Sequence, residues 1–192
     1  MKTADVIIVG SGASGLFNAL FLPQDYKVIV ITKKEVEESD SFLAQGGISA
    51  LKNPEDYDSY FEDTMKAGHY ENDKGAVEKM IKESPQIIQD LKDFGVRFDL
   101  KDGEIEFTRE GGHSTFRILH HEDLTGKEIT SHLYEEAKKR DNITIMENCT
   151  MIDIIEKDGE CKGIVYKDAD GNLEYDRSSG YCSCNRRTWR VI

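Results

Sequence analysis

Hydrophobic positions in this chain fall into two rhythms, and the first appears at once. DVIIVG (Asp5–Gly10) and YKVIVITKK (Tyr26–Lys34) are nearly continuous apolar runs, the pattern of strands buried on both faces of a parallel sheet. Between them, SGASGLFNALFL places Leu16, Ala19 and Leu20 on one face of a helix. Strand, glycine turn, helix and strand within about 30 residues make a βαβ unit, whose crossover is right-handed almost without exception.

A polar stretch then leads to FLAQGGISA (Phe42–Ala50), where paired glycines permit close backbone approach. PEDYDSYFEDTMKAGH predicts a helix with an acidic start. DKGAVEKMIKE and SPQIIQDLKDFG predict two more, the second capped by Ser84, opened by Pro85 and stopped by Gly95. FTREGGHSTFRILHHEDLTG (Phe107–Gly126) has no clean period and many functional side chains, which predicts a long binding loop. KEITSHLYEEAKKR predicts a helix and NITIMEN a strand. MIDIIEKDGECKGIVYKD with GNLEYD predicts an antiparallel meander that turns at Asp158-Gly159 and Asp170-Gly171. The chain shows no internal repeat and no low-complexity linker.

At 192 residues the length suits one domain, or one and part of a second. A net charge of −12 opposes a nucleic-acid partner, because affinity for phosphate backbones comes from lysine and arginine. It is the charge of a solvated surface. No apolar run is long enough to span a bilayer, which argues against a membrane partner. The apolar run near the N-terminus is short and enters glycines rather than a cleavage site, so it predicts a strand and not a secretory segment. A reducing cytoplasm is the expected location, with Cys149 and Cys161 as small core residues.

Gly10, Ser11, Gly12, Ala13, Ser14 and Gly15 fit the dinucleotide fingerprint in the right context, between a buried strand and a helix. The first glycine makes the turn and the second admits a pyrophosphate. The third lets helix pack on strand, and the diphosphate rests on the helix N-terminus. The second strand departs from the pattern. Lys33 stands where an acid would bind the ribose 2′-hydroxyl, with Glu35 two residues on. That argues against a standard NAD site and leaves FAD or an unusual NADP site open.

GSGASGL, SFLAQGGISA and above all FTREGGHSTFRILHHEDLTGKEI resemble the L-aspartate oxidases, a branch of the fumarate reductase and succinate dehydrogenase flavoprotein family. The likeness runs from about Asp5 to about Tyr175. It implies an α/β fold: a glutathione-reductase-type (Rossmann-like) FAD-binding domain with a β-meander and helical insertions, incomplete over this length. It further implies that Ser11, Gly12, Ala13 and Ser14 lie along the FAD diphosphate and that Lys33 lies near the adenosine half. Asp40, Ser41, Phe42, Leu43, Ala44, Gln45, Gly46 and Gly47 would run beside the flavin. Succinate dehydrogenases carry a flavin-linked histidine at the position of Asp40, so the FAD here is expected to be non-covalent.

The implied reaction is oxidation of L-aspartate to iminoaspartate, with oxygen or fumarate taking the electrons and quinolinate synthase as the partner in NAD synthesis. Glu110 would face the substrate ammonium, for which a carboxylate is apt. Arg109 and Arg117 are candidates for binding dicarboxylate or for structure. His113, His120 and His121 match no common zinc spacing, so loop hydrogen bonding and no metal are expected. The family's main carboxylate-binding residues lie farther along, so turnover by this length alone is not expected. A fumarate reductase or succinate dehydrogenase type of flavoprotein, or an FAD-binding module without catalysis, is the alternative.

The last residues, YCSCNRRTWRV, lack the VVLATGG-like strand that the family places after the meander. Read one nucleotide later, their codons permit Ile-Val-Leu-Ala-Thr-Gly-Gly, and the Trp189 codon forces a glycine. The expectation is therefore an FAD-binding portion over 1–176 and an out-of-frame tail without native fold over 177–192, in which Cys182 and Cys184 have no metal or redox role. Resequencing the gene through codons 176–192 should reveal one base whose insertion or deletion restores IVLATGG and an open frame. An unaltered frame there would defeat this reading.

Overall fold

The computed structural model describes residues 2–185 and 188–191, with side chains through Ser178. In chain order the elements begin with β1 (Thr3–Val9), α1 (Ala13–Phe21), β2 (Val28–Ile31), β3 (Ile48–Ser49), α2 (Tyr57–Ala67) and α3 (Lys74–Asp93). Four short strands follow: β4 (Leu100–Lys101), β5 (Glu104–Ile105), β6 (Phe107–Thr108) and β7 (Ile118–Leu119). After α4 (Thr125–Lys138) come β8 (Ile143–Met146), β9 (Thr150–Lys157), β10 (Glu160–Lys167), β11 (Leu173–Asn185) and β12 (Thr188–Val191). The chain forms two compact units, residues 1–43 with 129–192, and residues 44–128.

The first unit is built on a sheet of order β8-β2-β1-β11-β10-β9, with β12 paired to β11. β8, β2, β1 and β11 are parallel, and β10 and β9 continue antiparallel. Successive side chains of a strand point to opposite faces. Ile7 therefore packs with Ile29, Ile31, Ile164 and Tyr166, while its neighbour Ile8 packs with Ala19, Val28 and Val30. Burial on both faces explains the unbroken apolar runs of β1 and β2. Cys149 and Cys161 are free and buried in the Ile7 cluster. The meander turns where the sequence predicts, with left-handed backbone at Asp158, Gly159 and Gly171.

β11 closes the far side of β1 in parallel register, from Thr3 opposite Arg177 to Val9 opposite Ser183. Its start is pinned by side chains. The Lys2 amide donates to buried Asp176 at 2.6 Å, and Ser178 Oγ donates to the Asp5 carbonyl at 2.9 Å. Burial, reinforced by the Asp176 carboxylate, pushes the Tyr166 phenol up to about 12. The expected tail falls on residues 177–192; its side chains beyond Ser178, and residues 186, 187 and 192, lie outside the described residues.

The second unit pairs β3 with β7 and β7 with β6, all antiparallel, and clusters Tyr60, Met65, Val77 and Ile81 between α2 and α3. Two expectations change here. The segment 107–126 is not wholly loop: β6 and β7 bracket residues 109–117, and α4 begins at Thr125. The two helices predicted on either side of Ser84 are one 20-residue helix with Pro85 inside it. Proline lacks the N–H that would bond the Ile81 carbonyl four residues back. Ser84 Oγ donates to that carbonyl at 2.7 Å instead, and accepts from the Leu51 amide at 2.9 Å. Helix propagation thus survives a residue that should stop it. Among the described residues no helix is long and apolar enough to cross a membrane.

Ser84→Ala should strip the Ile81 carbonyl and the Leu51 amide of their partner in a buried setting, costing about 1–3 kcal/mol in a urea unfolding series. Adding Pro85→Ala, which returns an N–H to Ile81, should recover part of that loss. An additive double-mutant cycle would contradict the compensation.

Candidate functional site

In the first unit, the turn from β1 into α1 forms the floor of a cleft of about 660 Å³. Gly10 has φ +111°, and a β-carbon on Gly15 would overlap the Gly10 carbonyl oxygen. The first turn of α1 therefore sits directly against the end of β1, at a distance only glycine allows. Gly12 is the N-cap of α1 and lines the cleft, and no side chain caps the leading amides of the helix. A β-carbon on Gly12 would stand 2.8 Å from Ser41 Oγ, on the opposite wall. Ser11 is buried, and its hydroxyl donates to Thr32 Oγ1 at 2.8 Å, tying the turn to the end of β2.

Gly10, Ser11, Gly12, Ser14, Lys33, Asp40 and Ser41 all line this cleft, whereas Ala13 and Gly15 do not. Lys34 pairs with Glu38 at 2.6 Å along its edge. Thr32, Cys149, Thr150 and Met151 also line it and carry no local signal in the sequence. The last three arrive because β8 pairs in parallel with β2, so the chain leaving β8 passes the same end of the sheet as Lys33. The Cys149 thiol is pushed up by burial, which keeps it a neutral wall residue rather than a nucleophile.

Phe42 and Leu43 complete the first unit's segment, and Ala44, Gln45, Gly46 and Gly47 open the second. Gly47 is pressed under β7, where a β-carbon would overlap Ile118 Cγ2 and the Leu119 carbonyl. Its amide donates to Glu110 Oε1 at 3.0 Å, and a β-carbon on Gly46 would lie 3.5 Å from Glu110 Oε2. The structure thus brings Glu110 onto Gly46–Gly47 across 63 residues of sequence.

Arg109 lies over the exposed Phe116 ring at 5.8 Å, whereas Arg117 is fully buried against Asp56 and Asp63. The Arg117 guanidinium beside Asp56 holds that carboxyl well below the usual carboxylate range. Burial alone would raise Asp63, but bonds from Ser114 and Arg117 outweigh it and hold it down too. The histidines also meet protein groups. His113 faces Arg117 at 3.1 Å, while His120 and His121 approach the two oxygens of Asp99 at 3.1 and 3.2 Å. Among the described residues no group of three or more histidine, cysteine and acidic side chains is placed to hold a metal ion.

A glycine turn, an uncapped helix N-terminus and a cleft at the carboxyl ends of parallel strands define a dinucleotide-binding α/β protein. The family model described as FAD binding domain matches residues 5–181, and the chain belongs to that family. FAD is accordingly its cofactor, and the cradle fits: Gly12 leaves open the space that a side chain would fill between α1 and Ser41. The chain is 42% identical to the L-aspartate oxidase of Clostridium perfringens over 86% of its own length and 38% of that protein's. It is 46% identical to the L-aspartate oxidase of Clostridium acetobutylicum, over 83% and 37%. It therefore spans less than two-fifths of these relatives. Among solved structures it superposes on a mutated quinol fumarate reductase FrdA of E. coli with TM-score 0.89 at 25% identity, covering 96% of this chain and 33% of that one. The Sdh1 complex of Mycobacterium smegmatis in its apo form gives 0.84 at 27%, over 95% and 34%.

Both Asp56 and Asp63 are depressed in the folded state, so their contribution to stability is complete above the unfolded carboxylate range, about pH 4. It should be lost progressively as pH falls below that range toward their folded values. Thermal midpoints recorded from pH 7 to pH 2 should stay flat and then drop below about pH 4. Asp63→Asn should start lower and drop less steeply, because one fewer depressed carboxylate remains to take up a proton.

Proposed function

We propose that this chain carries the FAD-binding part of an L-aspartate oxidase, which oxidises L-aspartate to iminoaspartate. The observation that carries this reading is the Glu110 carboxylate, fixed on the Gly46–Gly47 backbone in a chain 42–46% identical to two L-aspartate oxidases. In this reading Ser11, Gly12, Ala13 and Ser14 hold the FAD diphosphate at the N-terminus of α1, where free amides and the helix dipole favour an anion. Gly10 and Gly15 set that turn. Lys33 serves the adenosine half, and the segment from Asp40 through Ser41, Phe42, Leu43, Ala44, Gln45, Gly46 and Gly47 serves the flavin. Asp40 has no nucleophilic imidazole to offer, so binding is non-covalent. FAD, when bound, supplies the two-electron acceptor.

The chain's own contribution to chemistry is recognition. Glu110 Oε1 is engaged by the Gly47 amide, which leaves Oε2 to accept from the substrate ammonium. A charge-assisted bond of that kind separates aspartate from succinate, which has no amine to offer. Oxygen or fumarate takes the electrons onward, and iminoaspartate passes to quinolinate synthase in the cytoplasm. A fumarate reductase type of chemistry is the competing reading, favoured by the structural likeness to FrdA.

Glu110→Gln keeps an oxygen for the Gly47 amide but removes the charge. In a full-length oxidase that contains this segment, kcat/KM for L-aspartate should fall about 10- to 100-fold, the equivalent of ~1.5–3 kcal/mol for a bond to a charged group. Fumarate reduction should change little. Equal losses on both substrates, or none on aspartate, would favour the fumarate reductase reading.

A further inference from the structure

Arg117 is wholly buried in the second unit, so no face of its guanidinium is open to a dicarboxylate. Nε and Nη2 donate to the two oxygens of Asp56, both at 2.8 Å. Nη1 donates to Asp63 at 2.6 Å, and Nη2 also to Ser59 Oγ at 2.7 Å. The Tyr60 ring lies 4.9 Å below. The same two carboxylates receive the loop between β6 and β7. Ser114 donates to Asp63 from its amide and its hydroxyl, at 2.7 and 2.8 Å, and Thr115 Oγ1 donates to Asp56 at 2.7 Å.

Residues 113–117 are thereby fastened to the N-cap and the middle of α2, and that loop opens with Arg109 and Glu110. One turn joins the two ends: the His113 amide donates to the Glu110 carbonyl at 3.2 Å. The remaining Arg117 contact is Nη1 to His113 Nδ1 at 3.1 Å. A guanidinium has donors only, so Nδ1 must accept, and the neutral ring carries its proton on Nε2.

We infer that Arg117 is a positioning residue: with Asp56 and Asp63 it sets the turn that aims Glu110, and it fixes His113 as the Nε2–H tautomer. The value of such a clamp is geometric. A recognising carboxylate must be held to within about 0.5 Å, and a displacement of about 1 Å can cost a hundredfold in rate. A planar five-donor fork spanning two carboxylates and an imidazole supplies that fixity, and lysine cannot reproduce it. The inference about Glu110 rests on the function proposed above; the tautomer does not.

The test has two arms. In the wild-type protein at a pH where the ring is neutral, nitrogen-15 spectra of His113 should show the Nε2–H form, and Arg117→Lys should yield a mixture of tautomers. In a full-length oxidase that contains this segment, Arg117→Lys should raise KM for L-aspartate about 10- to 100-fold with FAD affinity unchanged within about twofold. Asp63→Asn, which leaves the Asp56 bonds in place, should move KM in the same direction by less, and stands in if the lysine variant does not fold. A wild-type Nδ1–H ring overturns the inference. So does an unchanged KM, or a loss of FAD affinity that matches the rise in KM, which would mark a merely structural residue. Should Glu110→Gln leave aspartate oxidation intact while the tautomer shifts as expected, the reading of Glu110 fails and the assignment of His113 stands.

Discussion

The fit of Gly15 against the Gly10 carbonyl is the constraint on which the first unit is built. It lets α1 start at the very end of β1, and this places the helix N-terminus, rather than a side chain, at the cleft floor. The hydroxyl pair of Ser11 and Thr32 then fixes the turn against β2 without using an amide that a phosphate would need. β1 itself is held from both sides, by β2 and by β11, with its two faces buried in separate clusters. A strand so enclosed has no freedom to slide. A one-residue slip would exchange the environments of Ile7 and Ile8 and carry the glycine turn away from the cleft.

The second unit solves a different problem. A wholly buried guanidinium carries a desolvation cost that a single ion pair seldom offsets, and an apolar cluster of the same volume is often the more stable choice. Here every donor direction is used, by two carboxylates, a serine hydroxyl and an imidazole. Such an arrangement adds direction where apolar packing would add only cohesion. It sits behind the loop whose first residues reach Gly46 and Gly47, where a carboxylate and a crowded backbone meet.

Much of this was legible in the sequence. Strong, short-range signals survived folding: continuous apolar runs gave β1 and β2, the glycine spacing gave the cleft, and Asp-Gly turns gave the meander. The failures have several causes. Pro85 reads as a helix start by every local rule, and only the Ser84 hydroxyl on the Ile81 carbonyl shows why the helix runs on. Strands of two residues, such as β6 and β7, are too short to display a period. Arg117 is ambiguous in sequence because Asp56 and Asp63 lie 61 and 54 residues away. Cys149, Thr150 and Met151 reach the cleft through strand order, which no local pattern encodes.

The pairing of β1 with β11 also sets a timetable. Thr3 meets Arg177, and the Lys2 amide meets Asp176, 174 residues later in the chain. At 5–20 residues per second, about 10–35 s of synthesis separate the two partners. Through that interval the nascent sheet carries an unpaired, strongly apolar edge at what will become its centre. Non-local closure of this kind is slow, and an open edge is a template for wrong pairing. β1 is thus among the last strands to be completed, and the ribosome, not the cleft, is where its sequence is most at risk.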